Sequence, residues 1–536
     1  MKKFKFFAIA LVAVIIAGFT SSCVKDLDVT PIDPNTVLPQ DVLNSQEAFN
    51  QLLAKCYQGL SCSGSYGPDG GPDIDGVDGG YGQYIRALMH LEELSTDVCT
   101  CCWNDQTLFD IHNLCWGTSD TFVAAMYYRI FFQVSLCNEF IRKANEAQFN
   151  GFPNKENYIA EARALRLLSY YHAIDLFGNV PFTTEDNTVG SAGPEMKKRK
   201  DLFEWMCSEA ESLIKGNSLA EVGKNEYGRI DKGAVMMILA KLYLNAEIWA
   251  GVNMYKQCAE MAETVIASYP SLHANYAELF CADNHLFSRN ATYNGDELIF
   301  VSPQDGNNIR SYGSTNYLIF ASTFSVDGFP GKTMDVAKVG ISSGWSGLSL
   351  TGTFTSKFEE GDSRAMFFKG DFEQYIDEIR DASGASNGWK SMKYSNINHD
   401  GSAAQAQGFV DTDFPVFRVA DAYLMYAECA ARGAADVTKG LKYLNVVRKR
   451  AGISEYSNSA DLNLQNIIDE RGRELYLEGF RRQDLIRFDM FTTDKYMWEF
   501  KGGVKDGKAV DSHLNLYPIP SADLNANGNL KQNPGY

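Results

Sequence analysis

Residues 161–182 read EARALRLLSYYHAIDLFGNVPF, from Glu161 to Phe182. Up to Leu176 the segment is rich in alanine, with large residues returning at three- and four-residue intervals, the spacing of one face of an α-helix. Gly178 and Pro181 then end it, because glycine closes a helix and proline cannot continue one. Upstream, Thr121 to Ala147 sets Phe122, Met126, Ile130, Val134, Cys137 and Ile141 at helical spacing and predicts one long helix. Downstream, Lys232–Ile248 and Met254–Ser268 form a further pair, and Asp421–Arg432 with Lys439–Ala451 another. Small residues on one face of each let paired helices approach closely.

These pairs resemble tetratricopeptide hairpins, although their period is irregular. The fold class expected is therefore mostly α, with helix pairs over about 121–268 and 421–490. They would carry an irregular, loop-rich half with a few short strands. Two segments supply that half. Residues 282–411 are rich in Gly, Ser, Asn, Thr and aromatics and lack long helical periodicity, and residues 69–116 open on a glycine- and aspartate-rich run. No Pro-, Ser- or charge-rich linker divides the chain, so residues 23–536 are expected to form one unit.

Function is expected in Asp69–Trp103, DGGPDIDGVDGGYGQYIRALMHLEELSTDVCTCCW. Its glycines let the backbone turn tightly and approach a ligand, while its aspartates supply acceptors. From Gln83 to Asp97, Ile85, Leu88, Met89 and Leu94 return at roughly helical spacing. A loop held against a helix and ending in a tryptophan suits a sugar, which offers an apolar C–H face and an equator of hydroxyls.

Lys2, Lys3 and Lys5, an apolar run from Phe6 to Phe19, and Thr20-Ser21-Ser22-Cys23 read as a secretory signal, residues 1–22. The apolar run is shorter than the roughly 20 residues of a membrane span. The small residues before Cys23 resemble a bacterial lipobox, which would make Cys23 the lipid-bearing first residue. The chain carries a formal charge of −18, and about −21 once the three lysines are removed. Such a surface repels polyanions, so no nucleic-acid partner is expected. Eleven cysteines besides Cys23 are an odd number, so at least one thiol is free unless it bonds another molecule. Cys99 and Cys102 have zinc-ligand spacing, but no second CxxC and no His pair follow, so free, half-buried thiols are expected, with a disulfide among these residues the lesser reading. Asp69, Asp73, Asp75 and Asp78 are spaced like a weak calcium loop, the lesser reading of that run; no cofactor is expected.

At this point a family resemblance appears. Glu161–Arg166 running into Asp175–Phe182, Glu470–Phe488 (ERGRELYLEGFRRQDLIRF), and the tail Tyr517-Pro518-Ile519-Pro520 to Asn533-Pro534-Gly535-Tyr536 look like the SusD/RagB family of Bacteroidetes outer-membrane lipoproteins. The resemblance implies a surface lipoprotein that sits over a TonB-dependent barrel transporter of the SusC type and helps to capture glycans. Gly71–Asp78, Tyr84-Ile85-Arg86, Gln304-Asp305-Gly306, Tyr312–Thr315 and Gly344-Trp345-Ser346 look like the ligand loops of the founding, starch-binding member. That implies Trp103, Tyr312 and Trp345 as stacking platforms for an α-glucan, with Asp78 and Arg86 as hydrogen-bonding groups. A ligand-binding Asn of that member falls on Asn104 or Gln106. A second platform Trp, two residues before Trp103, is replaced here by Cys101.

Two alternatives stay open: the same role with another glycan, or a mainly structural lid of the transporter. No catalysis is expected. The chain has no HExxH, no GxxxxGK[ST] and no strand followed by GxGxxG, and its seven histidines do not cluster.

Overall fold

The computed structural model describes residues 45–536 apart from 69–70, 188–189, 191–192, 270 and 381–384. The expected signal at 1–22, the Cys23 expected to bear lipid and Asp69 of the calcium alternative lie outside the described residues. Contacts divide the chain into a unit of residues 1–50, of which 45–50 are described, and a unit of residues 51–536 that holds the features below.

The chain is mostly helical. It opens with α1 (Gln46–Ser61), α2 (Tyr84–Glu92), the strand β1 (Cys99–Cys101) and α3 (Gln106–His112). Then come α4 (Thr121–Ala144), α5 (Lys155–Leu176), α6 (Arg199–Lys215), α7 (Lys232–Leu244) and α8 (Tyr255–Ser268). The loop-rich middle contributes β2 (Leu298–Ser302), α9 (Ser314–Ser322), β3 (Leu348–Leu350) and β4 (Phe414–Arg418). Last are α10 (Val419–Ala431), α11 (Val437–Arg450), α12 (Leu464–Leu475) and α13 (Arg481–Arg487).

Local chemistry sets the helix ends. Asp120 caps α4 by accepting from the backbone N–H groups of Phe122 and Val123 at 2.9 and 3.0 Å, and Asp231 caps α7 in the same way. After α5, Gly178 takes a φ of +71°, which a glycine adopts without strain. The helices then pack in sequence, α4 on α5, α5 on α6, α6 on α7, α7 on α8, α8 on α10 and α10 on α11. That is the stacked-hairpin scaffold expected, with two differences. The long helix stops at Ala144, and α6 stands between the first pair and the next. Its buried Leu202, Phe203, Met206, Ala210 and Leu213 do follow helical spacing, but charged neighbours dilute the stripe.

The loop-rich half is tied together by two short antiparallel ladders. β1 pairs with β3, with Cys99 opposite Leu350 and Cys101 opposite Leu348. β2 pairs with β4 from Leu298–Arg418 to Ser302–Phe414. Between them α9 is buried on every side, so it shows no amphipathic period.

The segment Glu470–Phe488 is a buried ion-pair lattice. Arg471 donates to Asp484 at 2.7 Å and Asp421 at 2.9 Å, Arg487 grips both oxygens of Glu428 at 2.7 and 2.8 Å, and Arg418 donates to Glu474 and Glu478 at 3.0 and 2.7 Å. Arg481 reaches back to Asp97 with two bonds of 2.7 and 2.8 Å, and thereby fixes the residues that lead into β1.

Candidate functional site

The site grows from the N-terminus of α2. Gln83 is fully buried, and its side-chain oxygen accepts from the backbone N–H of Arg86 and of Ser314, both at 2.9 Å. Its amide nitrogen donates to the Leu60 carbonyl at 2.6 Å. One side chain therefore pins the end of α1, the start of α2 and the start of α9 to one another. Gly313 must be glycine here, since a Cβ would meet the Gln83 side chain at 2.3 Å. The preceding loop folds back on itself: the Asp78 carboxylate accepts from the N–H groups of Gly80 and Tyr81 at 2.7 and 3.1 Å.

The β1–β3 ladder brings Trp103 to Trp345. Beyond the ladder the Cys102 N–H donates to the Gly347 carbonyl at 3.0 Å, and the Trp103 indole N–H donates to the Trp345 carbonyl at 3.1 Å. The Trp345 loop is itself moored to the end of α9. The N–H groups of Trp345, Ser346 and Gly347 donate to the carbonyls of Phe320, Thr323 and Ala321 at 2.7, 3.1 and 2.8 Å. Orphan carbonyls at a helix C-terminus are thus satisfied by the loop they hold. Trp103 and Trp345 have ring centroids 6.4 Å apart and planes 50° apart; Trp345 and Tyr312 follow at 6.1 Å and 59°. The three rings make one tilted row.

Arg86 lies beside it. Its guanidinium is 4.4 Å from the buried Tyr317 ring and 5.6 Å from the Trp103 ring, and it donates to the Tyr312 carbonyl at 3.0 Å. Burial pulls it below the ordinary arginine value. Its Nε has no acceptor, so the group keeps donor capacity. Together with Asp78, these residues line a depression of about 690 Å³, to which Pro72, Asp75 and Gly80 also contribute.

Five of the residues singled out from sequence, Asp78, Arg86, Trp103, Tyr312 and Trp345, therefore share one depression. Asn104 and Gln106 are exposed and are not part of its lining. Gln106 instead donates to Asp110 at 2.6 Å and accepts from Arg380 at 2.8 Å. Cys101 is buried in β1 and offers no platform. Of the aspartates read as a calcium loop, Asp73 pairs with Lys55 at 2.7 Å. Among the described residues no group of three or more His, Cys, Asp or Glu side chains could hold a metal ion. Among the described residues the cysteines from Cys56 to Cys429 form no disulfide, and most are fully buried rather than half-buried, since a thiol packs as a small hydrophobe; Cys115 is exposed. Gln83, Tyr317 and Phe409, whose ring stands 5.5 Å from Tyr312, carry no sequence signal beyond an apolar or helix-start position.

A chain named starch-binding protein SusD, from Bacteroides thetaiotaomicron, is 33% identical over 99% of this chain and 98% of its own length. The chain belongs to the SusD family. The family's model matches residues 334–536, and a SusD-like protein of Bacteroides ovatus is 25% identical over 68% of this chain and 65% of its own. Solved structures show the same SusD-family fold. Surface glycan-binding protein A of B. thetaiotaomicron, in complex with laminarihexaose, superposes with a TM-score of 0.66 at 20% identity, covering 91% of this chain and 99% of that one. A SusD superfamily protein of Parabacteroides distasonis gives 0.68 at 21% identity, covering 92% and 99%.

Proposed function

We propose that this SusD-family chain is a cell-surface lipoprotein of the outer membrane, anchored through Cys23, that captures α-glucan such as starch and maltooligosaccharides. It passes the glucan to a TonB-dependent barrel transporter, and it binds without catalysing. The tilted ring row carries the reading. Trp103, Trp345 and Tyr312 turn by 50° and 59° from one ring to the next, so successive sugar faces must turn as well. A helical α-glucan presents such faces, whereas a flat chain would want coplanar platforms. Arg86 and Asp78 stand at the edge, where they can bond hydroxyls. The name of the 33% identical relative points the same way. A shallow, preformed site rewards a ligand that is already curved, because less chain entropy is lost on docking.

The test is calorimetric titration of the protein with maltoheptaose, laminarihexaose and a cyclodextrin, beside Trp345→Ala. Binding of the α-glucans, about tenfold weaker in the variant, is expected. Laminarihexaose binding more tightly than maltoheptaose would replace α-glucan with another glycan.

A further inference from the structure

A second depression, of about 510 Å³, is walled by the start of the loop that ends at Tyr312, including Gln304 and Asp305. Gly306 lies so close to the Phe409 carbonyl that a Cβ would meet it at 2.6 Å, so this loop and the segment around Asp411 form one rigid wall. Another wall is aromatic. Tyr227 and Tyr293 have centroids 5.3 Å apart at 85°, and His285 stands 5.0 Å from Tyr293 and 6.0 Å from Tyr227. The Tyr227 hydroxyl is buried without a hydrogen-bond partner. Asp413, only 2% exposed, accepts from the Gln304 N–H at 2.6 Å through one oxygen, while its other oxygen has no donor.

The remaining carboxylates are already committed. Asp411 accepts from the Gly306 and Gln405 N–H groups, both at 2.8 Å, and Asp283 is held by His399 at 2.8 and 2.6 Å. Few free oxygens are left for a metal ion. Among the described residues neither Lys nor Arg lines the depression. Acidic ligands are repelled by Asp283, Asp305 and Asp411, while burial pushes the Asp413 carboxyl well above its ordinary value and holds His285 below its own, on the neutral side.

We propose that this depression is a second saccharide site, which takes a neutral pyranose ring with its C–H face on the Tyr227–Tyr293–His285 corner. Its hydroxyls accept from Tyr227 Oη and donate to Asp413. Since the loop from Gln304 to Tyr312 borders both depressions, a long or branched glycan has two footholds on one rigid segment. The site does not depend on which glycan the tryptophan row takes.

The experiment uses the full chain carrying Trp103→Ala and Trp345→Ala, so that the row is dismantled. It is titrated calorimetrically and by saturation-transfer NMR with maltotriose, cellotriose, mannotriose and N-acetylchitotriose, with galacturonate and calcium chloride as controls. At least one neutral trisaccharide is expected to bind at millimolar concentration with one site per chain. Adding Tyr293→Ala or, separately, Asp413→Asn should weaken it about tenfold or more, with the melting temperature recorded to show that each variant is folded. The proposal is overturned if no neutral saccharide binds, if binding survives both added substitutions in folded protein, or if only calcium or galacturonate binds. Failure of maltoheptaose to bind the unsubstituted tryptophan row would instead sink the α-glucan reading and leave this site standing.

Discussion

Gln83 joins three segments with one buried amide, and the cost of losing it follows from what it satisfies. Gln83→Ala leaves the Leu60 carbonyl and the Ser314 and Arg86 N–H groups short of a partner. Unsatisfied buried groups cost on the order of 1 to 3 kcal/mol each, with partial relief by relaxation, so a loss of about 2 to 4 kcal/mol in urea unfolding is expected. Glycan affinity should fall with it although Gln83 touches no ligand. Trp345→Ala should act the other way round: about tenfold weaker maltoheptaose binding in calorimetry, the usual cost of one stacking ring, with a smaller effect on stability. This contrast marks what could be read beforehand. Trp345, between Gly344 and Gly347, announces itself as a candidate platform. A buried glutamine whose partners come from positions 60, 86 and 314 does not, because its role exists only once the fold has gathered them.

The loop Trp345–Gly347 is held by α9 and closes against β1, so its own side chains have little room. A Cβ on Gly347 would meet the Trp103 ring at 2.6 Å. Gly347→Ala should therefore displace that ring, with weaker glucan binding and an altered near-UV circular dichroism spectrum while the far-UV helical signal stays. If the near-UV signal and affinity are both unchanged, the ring row is more pliable than its contacts imply. In the scaffold α4 was legible from apolar residues at helical spacing, and α5 from its alanines and recurring large residues ended by Gly178 and Pro181, although α5 is buried on nearly all sides from Ala160 onward. α9 was not, because burial on all sides erases the stripe, and α6 was not, because charge interrupts it. Cys101 was legible as a missing platform, but its burial in β1 follows from a ladder with Leu348 that no local pattern announces.

At the scale of the whole molecule, the ion-pair lattice makes stability depend on acid. Burial alone would raise the Glu474 and Asp484 carboxyls, yet the surrounding arginines outweigh it and hold both at about 2. Their unfolded values lie near 4, so the stabilisation is complete above about pH 4 and is lost as pH falls towards about 2. Melting temperature should drop as pH falls below about 4; a level profile from pH 4.5 down to pH 2.5 would contradict the lattice. Arg481→Ala should cost about 3 to 5 kcal/mol, since Asp97 would stay buried with only the Tyr496 hydroxyl at 2.6 Å. The motif Glu470–Phe488 was legible as a family signature, but its physical purpose was not, because its partners are scattered from Asp97 to Glu428. The Asp97–Arg481 pair spans 384 positions. Contacts of such separation form late, after a large loop has closed. The residues that lead into β1 therefore gain their last tie only when the segment around Arg481 has docked, although the ladder with β3 is complete by Leu350. A polypeptide cut before Arg481 lacks both bonds to Asp97, so it should hold β1 and the rings beside it less firmly than the full chain.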